Sequence, residues 1–97
     1  MSELHFVWDK TKSELNQKKH GVSFEEAKTV FFDENGIEFF DPDHSEDEDR
    51  FILLGLSSHL RILIVCYCYR ENDSTIRIIS ARKATSKEHQ NYEGRKS

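Results

Sequence analysis

Seven residues in the C-terminal half have side chains suited to handling a phosphate: Arg61, Arg77, Ser80, Arg82, Lys83, Lys87 and Tyr92. Guanidinium groups make paired, charge-assisted hydrogen bonds to phosphate oxygens, a hydroxyl adds a donor, and a phenol can pass a proton. His44, inside the acidic run Asp41 to Asp49, adds an imidazole that exchanges protons near neutral pH. These types describe anion binding with acid–base chemistry. Each also has an ordinary use, since a strand-end arginine can snorkel to water and a loop histidine can simply be solvated.

Other chemistries find no foothold. His5, His20, His44, His59 and His89 are scattered, with no pair at the spacing of a closed zinc site. The stretch Asp41-Pro42-Asp43-His44-Ser45-Glu46-Asp47 lacks the sixth-position glycine and the final bidentate Glu of a calcium loop, so no metal is expected. The four glycines form neither a phosphate-cradling loop nor a nucleophile elbow, and no cofactor is expected. Cys66 and Cys68 lie two apart in the densest apolar run, where strand geometry points them the same way, so they read as reduced core thiols.

The elements that must position these groups can be read from the pattern. A chain of 97 residues, 36% hydrophobic and 33% charged, supports one domain over 1–97. His5 to Trp8 favours a strand; Asp9 then caps a polar helix from Lys10 to Lys19, closed by His20-Gly21, with Leu15 its one apolar residue to bury. Ser23-Phe24-Glu25-Glu26 is a capping box opening a second helix to Phe32, whose Phe24, Ala27, Val30 and Phe31 make one stripe. Ile37 to Phe40 is a short strand. Phe51 to Leu56, Leu60 to Arg70 and Thr75 to Arg82 are three more, joined by the short polar links Ser57-Ser58-His59 and Glu71-Asn72-Asp73-Ser74. They predict an antiparallel meander, with Leu60 to Tyr69 central and both faces covered. The first two helices cover one face. A short helix after the second capping box, Thr85-Ser86-Lys87-Glu88, covers the other up to about Glu93, with Gly94 to Ser97 frayed. Strict alternation along the last strand sets Ile78, Ser80 and Arg82 opposite Arg77, Ile79 and Ala81.

The net charge of −4 argues against nucleic acid, but it hides a division. From Glu25 to Arg50 eleven acids face two bases, a balance of −9; from His59 onward eight bases face four acids, a balance of +4. Such asymmetry suits an anionic partner at one part and a cationic partner at the other. The longest apolar run is broken by Arg61, short of the roughly 20 residues a bilayer span needs. Met1 to Val7 carries Glu3 and His5 where a secretory signal has Lys or Arg, so a cytoplasmic location and no membrane partner are expected.

Four blocks then resemble the BrnT family of bacterial toxins, in order and separation, over about residues 5 to 93. They are Phe6-Val7-Trp8-Asp9; Lys19-His20-Gly21-Val22-Ser23-Phe24-Glu25-Glu26-Ala27; Asp41-Pro42-Asp43-His44-Ser45 with Asp49-Arg50-Phe51-Ile52-Leu53-Leu54-Gly55; and Arg77-Ile78-Ile79-Ser80-Ala81-Arg82-Lys83-Ala84. The resemblance implies an α+β, RelE-like fold. It implies the toxin of a type II toxin-antitoxin module, a ribonuclease that arrests translation. It also implies a BrnA-type antitoxin in a hetero-oligomer, with DNA met only indirectly through that antitoxin. The sequence departs from the family in having less arginine after Arg82 and in Cys66-Tyr67-Cys68-Tyr69 on the central strand.

Metal-independent RNA cleavage needs the 2′-hydroxyl activated, the phosphorane charge stabilised and the 5′-oxygen protonated. The expected catalytic set is Arg82 with Arg77 or Arg61 as phosphate ligands and His44 or Tyr92 as the proton-transfer group. Because alternation separates Arg77 from Arg82, Arg77 reads as the more structural or partner-facing of the two. Lys83, Lys87, Ser80 and Lys19 are expected to contact RNA. The rival reading is a non-catalytic module that only binds antitoxin.

Overall fold

The computed structural model describes residues 4–70 and 74–96. Asp9 accepts a hydrogen bond from the Lys12 backbone N–H at 3.0 Å and starts helix α1, Lys10–His20. Gly21, at φ 70°, ends it by donating its N–H to the Gln17 carbonyl. Leu15 does not bury: it is 60% exposed, and the buried residues of the helix are Ser13 and Asn16. The Asn16 amide donates to the carbonyls of Val22 and Ala81, both at 2.9 Å, and its oxygen accepts from the Ala81 N–H at 3.1 Å. A helix without an apolar stripe therefore docks through a polar clamp that satisfies open strand edge.

Ser23 accepts from the Glu26 N–H at 3.0 Å and starts helix α2, Phe24–Thr29, which a 3-10 turn, Val30–Phe32, extends. Only this half of the expected box forms. The Glu26 carboxylate turns inward, to Arg61 and Ser57.

Five strands make one sheet: β1, His5–Val7; β2, Ile37–Asp41; β3, Arg50–Leu56; β4, Ile62–Arg70; and β5, Thr75–Lys83, in the order β1-β5-β4-β3-β2. From β2 to β5 it is the expected antiparallel meander with β4 central. The purely antiparallel expectation fails at β1, which pairs parallel to β5 through Phe6 and Ile76. Parallel neighbours need a long crossover, and here both helices and three strands intervene. Strand β4 starts at Ile62, because Leu60 sits in the preceding turn at φ 59° and is 81% exposed. Of the link after β4, Glu71, Asn72 and Asp73 lie outside the described residues.

Two cores result. Val22, Phe24, Ala27 and Val30 pack on Leu63, Val65 and Tyr67 on one face of the sheet. On the other, Leu54 and Ile64 pack on Tyr92 of helix α3, Ser86–Lys96. The second box closes in both directions: Thr85 N–H donates to Glu88 at 2.8 Å and Glu88 N–H to Thr85 at 3.2 Å. The helix continues through Gly94 to Lys96, past the point expected to fray, while Ser97 lies outside the described residues.

Candidate active site

Pairing between β4 and β5 slips once: Cys66 faces Ser80 and Tyr67 faces Ile78, which leaves Ile79 as an extra residue. This bulge overturns the strict alternation expected along β5. Ile78 and Ala81 both point into the α1/α2 core, while Ile79, Ser80 and Arg82 line the opposite face. Arg77 joins that face, because it is in register with Cys68, the neighbour of the core residue Tyr67. One inserted residue thus gathers both arginines on one side of the sheet.

There a groove of about 270 Å³ runs beside the segment after β2, lined by Asp41, His44, Arg50, Ser80 and Arg82 over an apolar floor that includes Ile64. Asp41 ends β2, and Pro42 opens a 3-10 turn, Pro42–His44, that brings His44 back over it. His44 Nδ1 lies 2.9 Å from Asp41 Oδ2. An ionised carboxylate can only accept, so the hydrogen of this bond is on Nδ1 and Nε2 is not used by it. The His44 side chain is 66% exposed and that of Asp41 11%, so the imidazole meets solvent while its anchor does not. Ser45 holds the turn, its Oγ donating to the Asp41 carbonyl and accepting from the Arg50 N–H at 2.9 Å.

Arg82 is aimed by Glu88. Its Nη1 and Nη2 donate to the two carboxylate oxygens at 2.8 and 3.0 Å, and Nη1 also reaches the Lys83 carbonyl at 3.3 Å. Three of five N–H groups are committed, so two remain for a ligand. Arg82 holds the Glu88 carboxyl down to about 2 against the opposing effect of burial, with Thr85 helping. On the same sheet face the Glu48 carboxylate binds Arg77 and lies 3.6 Å from Nε of Arg50, which itself lines the groove.

Two expected catalytic residues stand elsewhere. Arg61 is on the α2 face, its guanidinium held by the buried Glu26 carboxylate and donating to the Gly21 carbonyl at 3.0 Å. Burial opposes ionisation of Glu26, but hydrogen bonds from Arg61 and Ser57 outweigh it and hold the carboxyl below its usual range. Tyr92 is 1% exposed, and its hydroxyl donates to Asp33 at 2.7 Å. Burial first, then Asp33, pushes the phenol up to about 12. It is a core residue that docks α3. Ser80 lines the groove, whereas Lys83, in register with the core residue Leu63, points to the other face; Lys87 and Lys19 are exposed on α3 and α1. The thiols of Cys66 and Cys68 are free and pushed up by burial; Cys68 is the expected core residue, whereas Cys66 is half-buried and lines the groove.

Asp41, Arg50, Glu48 and Glu88 were not among the site residues expected from sequence. The first had a readable signal, because Asp and His three apart around a proline share one side of a tight turn. Among the described residues no group of three or more His, Cys, Asp or Glu gathers as a metal site, and no helix is long and apolar enough to cross a membrane.

The structure is a small α+β domain in which an Asp-anchored imidazole and Arg82 line one groove on an open sheet face, a donor set suited to a phosphate. Residues 8–88 match the family described as "Ribonuclease toxin, BrnT, of type II toxin-antitoxin system", and the chain belongs to that family. Its fold is similar to that of the Brucella abortus ribonuclease toxin BrnT, known from a 1.1 Å crystal structure: 22% identity, TM-score 0.64, covering 86% of this chain and 99% of that one. No curated protein matches the sequence.

Proposed function

We propose that this ribonuclease toxin cuts RNA without a metal ion, arrests translation and growth, and is neutralised by a BrnA-type antitoxin in the cytoplasm. The observation that carries the reading is the Asp41–His44 pair facing Arg82 and Ser80 across one groove. His44 Nε2 takes the proton from the 2′-hydroxyl, with Asp41 stabilising the imidazolium that forms. The 2′-oxygen bonds to phosphorus, Arg82 meets the charge gathering on the phosphorane, and the bond to the 5′-oxygen breaks. That oxygen takes a proton from a water molecule, which regains one from the His44 imidazolium, leaving a 2′,3′-cyclic phosphate, a 5′-hydroxyl and the neutral imidazole. Arg77 stands on the same sheet face, while Arg61 and Tyr92 maintain the fold.

The test is purified chain incubated with RNA in EDTA, beside growth on induction without antitoxin. Cleavage and arrest that vanish with His44→Ala support the reading. Arrest unchanged in a folded Arg82→Ala protein would sink the assignment, and antitoxin binding with neither cleavage nor arrest would favour a pure binding module.

A further inference from the structure

On the groove side of the sheet, Arg50 and Arg77 point the same way from neighbouring positions across β3, β4 and β5, each in register with Cys68. A single carboxylate oxygen, Glu48 Oε2, serves both: it accepts from Arg77 Nη2 and lies 3.6 Å from Arg50 Nε. The match is incomplete. The Nε atoms of Arg50 and Arg77 are buried and have no hydrogen-bond partner among the described residues. An unpaired buried donor on a charged group is costly, so two in one cluster mark a place built for more acceptor oxygens than one carboxylate supplies.

A phosphodiester offers that surplus. It carries the charge of Glu48 with oxygens directed to both sides, and two guanidinium forks suit them. Arg50 also lines the groove that holds His44 and Arg82, so an RNA strand whose scissile phosphate lies at Arg82 runs on to this pair. Glu48 itself belongs to the segment between the Pro42–His44 turn and β3, its side chain is 34% exposed, and no strand or helix bond holds it.

We infer that Arg50 and Arg77 form a second phosphate subsite for RNA, occupied in the free toxin by Glu48 as an internal stand-in that the incoming phosphate displaces. This inference rests on the ribonuclease reading for the identity of the ligand. It is tested separately from cleavage, by anisotropy of a fully 2′-O-methylated RNA oligonucleotide titrated with the full chain in EDTA across a salt series. Glu48→Gln and Glu48→Ser should each bind roughly tenfold tighter than wild type. Their log–log salt slope should be steeper by about 0.7, one more phosphate contact on a single strand. Adding Arg77→Ala to Glu48→Gln should abolish both gains, whereas Arg77→Ala alone should cost less, because Glu48 already neutralises that arginine.

Unchanged or weaker binding by folded Glu48 variants overturns the subsite, as does loss of fold in both, which would make Glu48 a brace. The two readings fail differently. Tighter binding with no cleavage of unmodified RNA by any form would leave the subsite standing and remove the nuclease; cleavage by wild type without the Glu48 gain would do the reverse.

Discussion

The two faces of the sheet use the same chemical pair for opposite ends. On the α1/α2 face, Glu26 has a side chain 2% exposed and holds Arg61 together with Ser57 and, at 3.3 Å, His59. On the groove face, the Glu88 and Arg82 side chains are 27% and 40% exposed and leave N–H donors uncommitted. A pair whose carboxylate is sealed is committed to the fold, because removing the cation strands that carboxylate away from water. An open one can lend its cation to a ligand, because solvent already screens it and the loss of a partner is tolerated. Burial of the carboxylate partner, 2% exposed in Glu26 against 27% in Glu88, separates the two pairs, since the arginines themselves are 30% and 40% exposed.

Substitutions in the groove should cut deepest. His44→Ala removes the proton acceptor and should lower the cleavage rate by about 10² to 10⁴, with the melting temperature nearly unchanged. Arg82→Ala should lower it by about 10² to 10³, or roughly 2.7 to 4 kcal/mol of transition-state stabilisation, read by single-turnover cleavage of one RNA. Arg61→Ala reverses the pattern: it leaves Glu26 buried and short of its main partner, costing about 3 to 5 kcal/mol of stability. In a chain this size that lowers the melting temperature by roughly 12 °C or more, while the cleavage rate per folded molecule stays near wild type. If Arg61→Ala instead abolished cleavage in folded protein, the division of labour between the faces would be wrong.

Asn16→Ala tests the same face by another route. It leaves the Ala81 N–H and two carbonyls without the amide that now meets them. The expected loss is about 1 to 3 kcal/mol, measured by urea denaturation, with no change in RNA binding.

The central strand, the helix caps and the two-sided core were legible in sequence because they follow from apolar runs and capping residues that act locally. The α+β class and His44 as a groove residue were legible too. Three things were not. The pairing of β1 with β5 joins residues some 70 positions apart, and nothing local encodes it. The bulge at Ile79 has no glycine or proline to announce it, yet it decides that Arg77 and Arg82 share a face. Asn16 was overlooked because a buried amide on a polar helix gives no periodic signal; its worth lies in bare backbone of β5 far along the chain. Tyr92 and Arg61 failed as groove residues for a related reason, since side-chain type cannot report which face a turn or helix delivers it to.

The smallest effect concerns acid. In the folded chain Glu88 stays ionised down to about 2, held chiefly by Arg82 against burial, whereas an unfolded Glu takes its proton near 4.5. Between those values the unfolded state binds the extra proton, so stability falls as pH falls. The contribution of the pair is therefore complete above about 4.5 and drains away toward 2. Glu88→Gln cannot titrate, and the difference between wild-type and Glu88→Gln unfolding free energies should shrink steadily over that window and be flat above it. The Glu26 pair lowers its carboxyl by the same logic but survives in both proteins, so it cancels from the difference. A difference that stayed constant from neutral pH into acid would mean that Arg82 does not hold Glu88 in solution, and that the arginine of the groove is already free before RNA arrives.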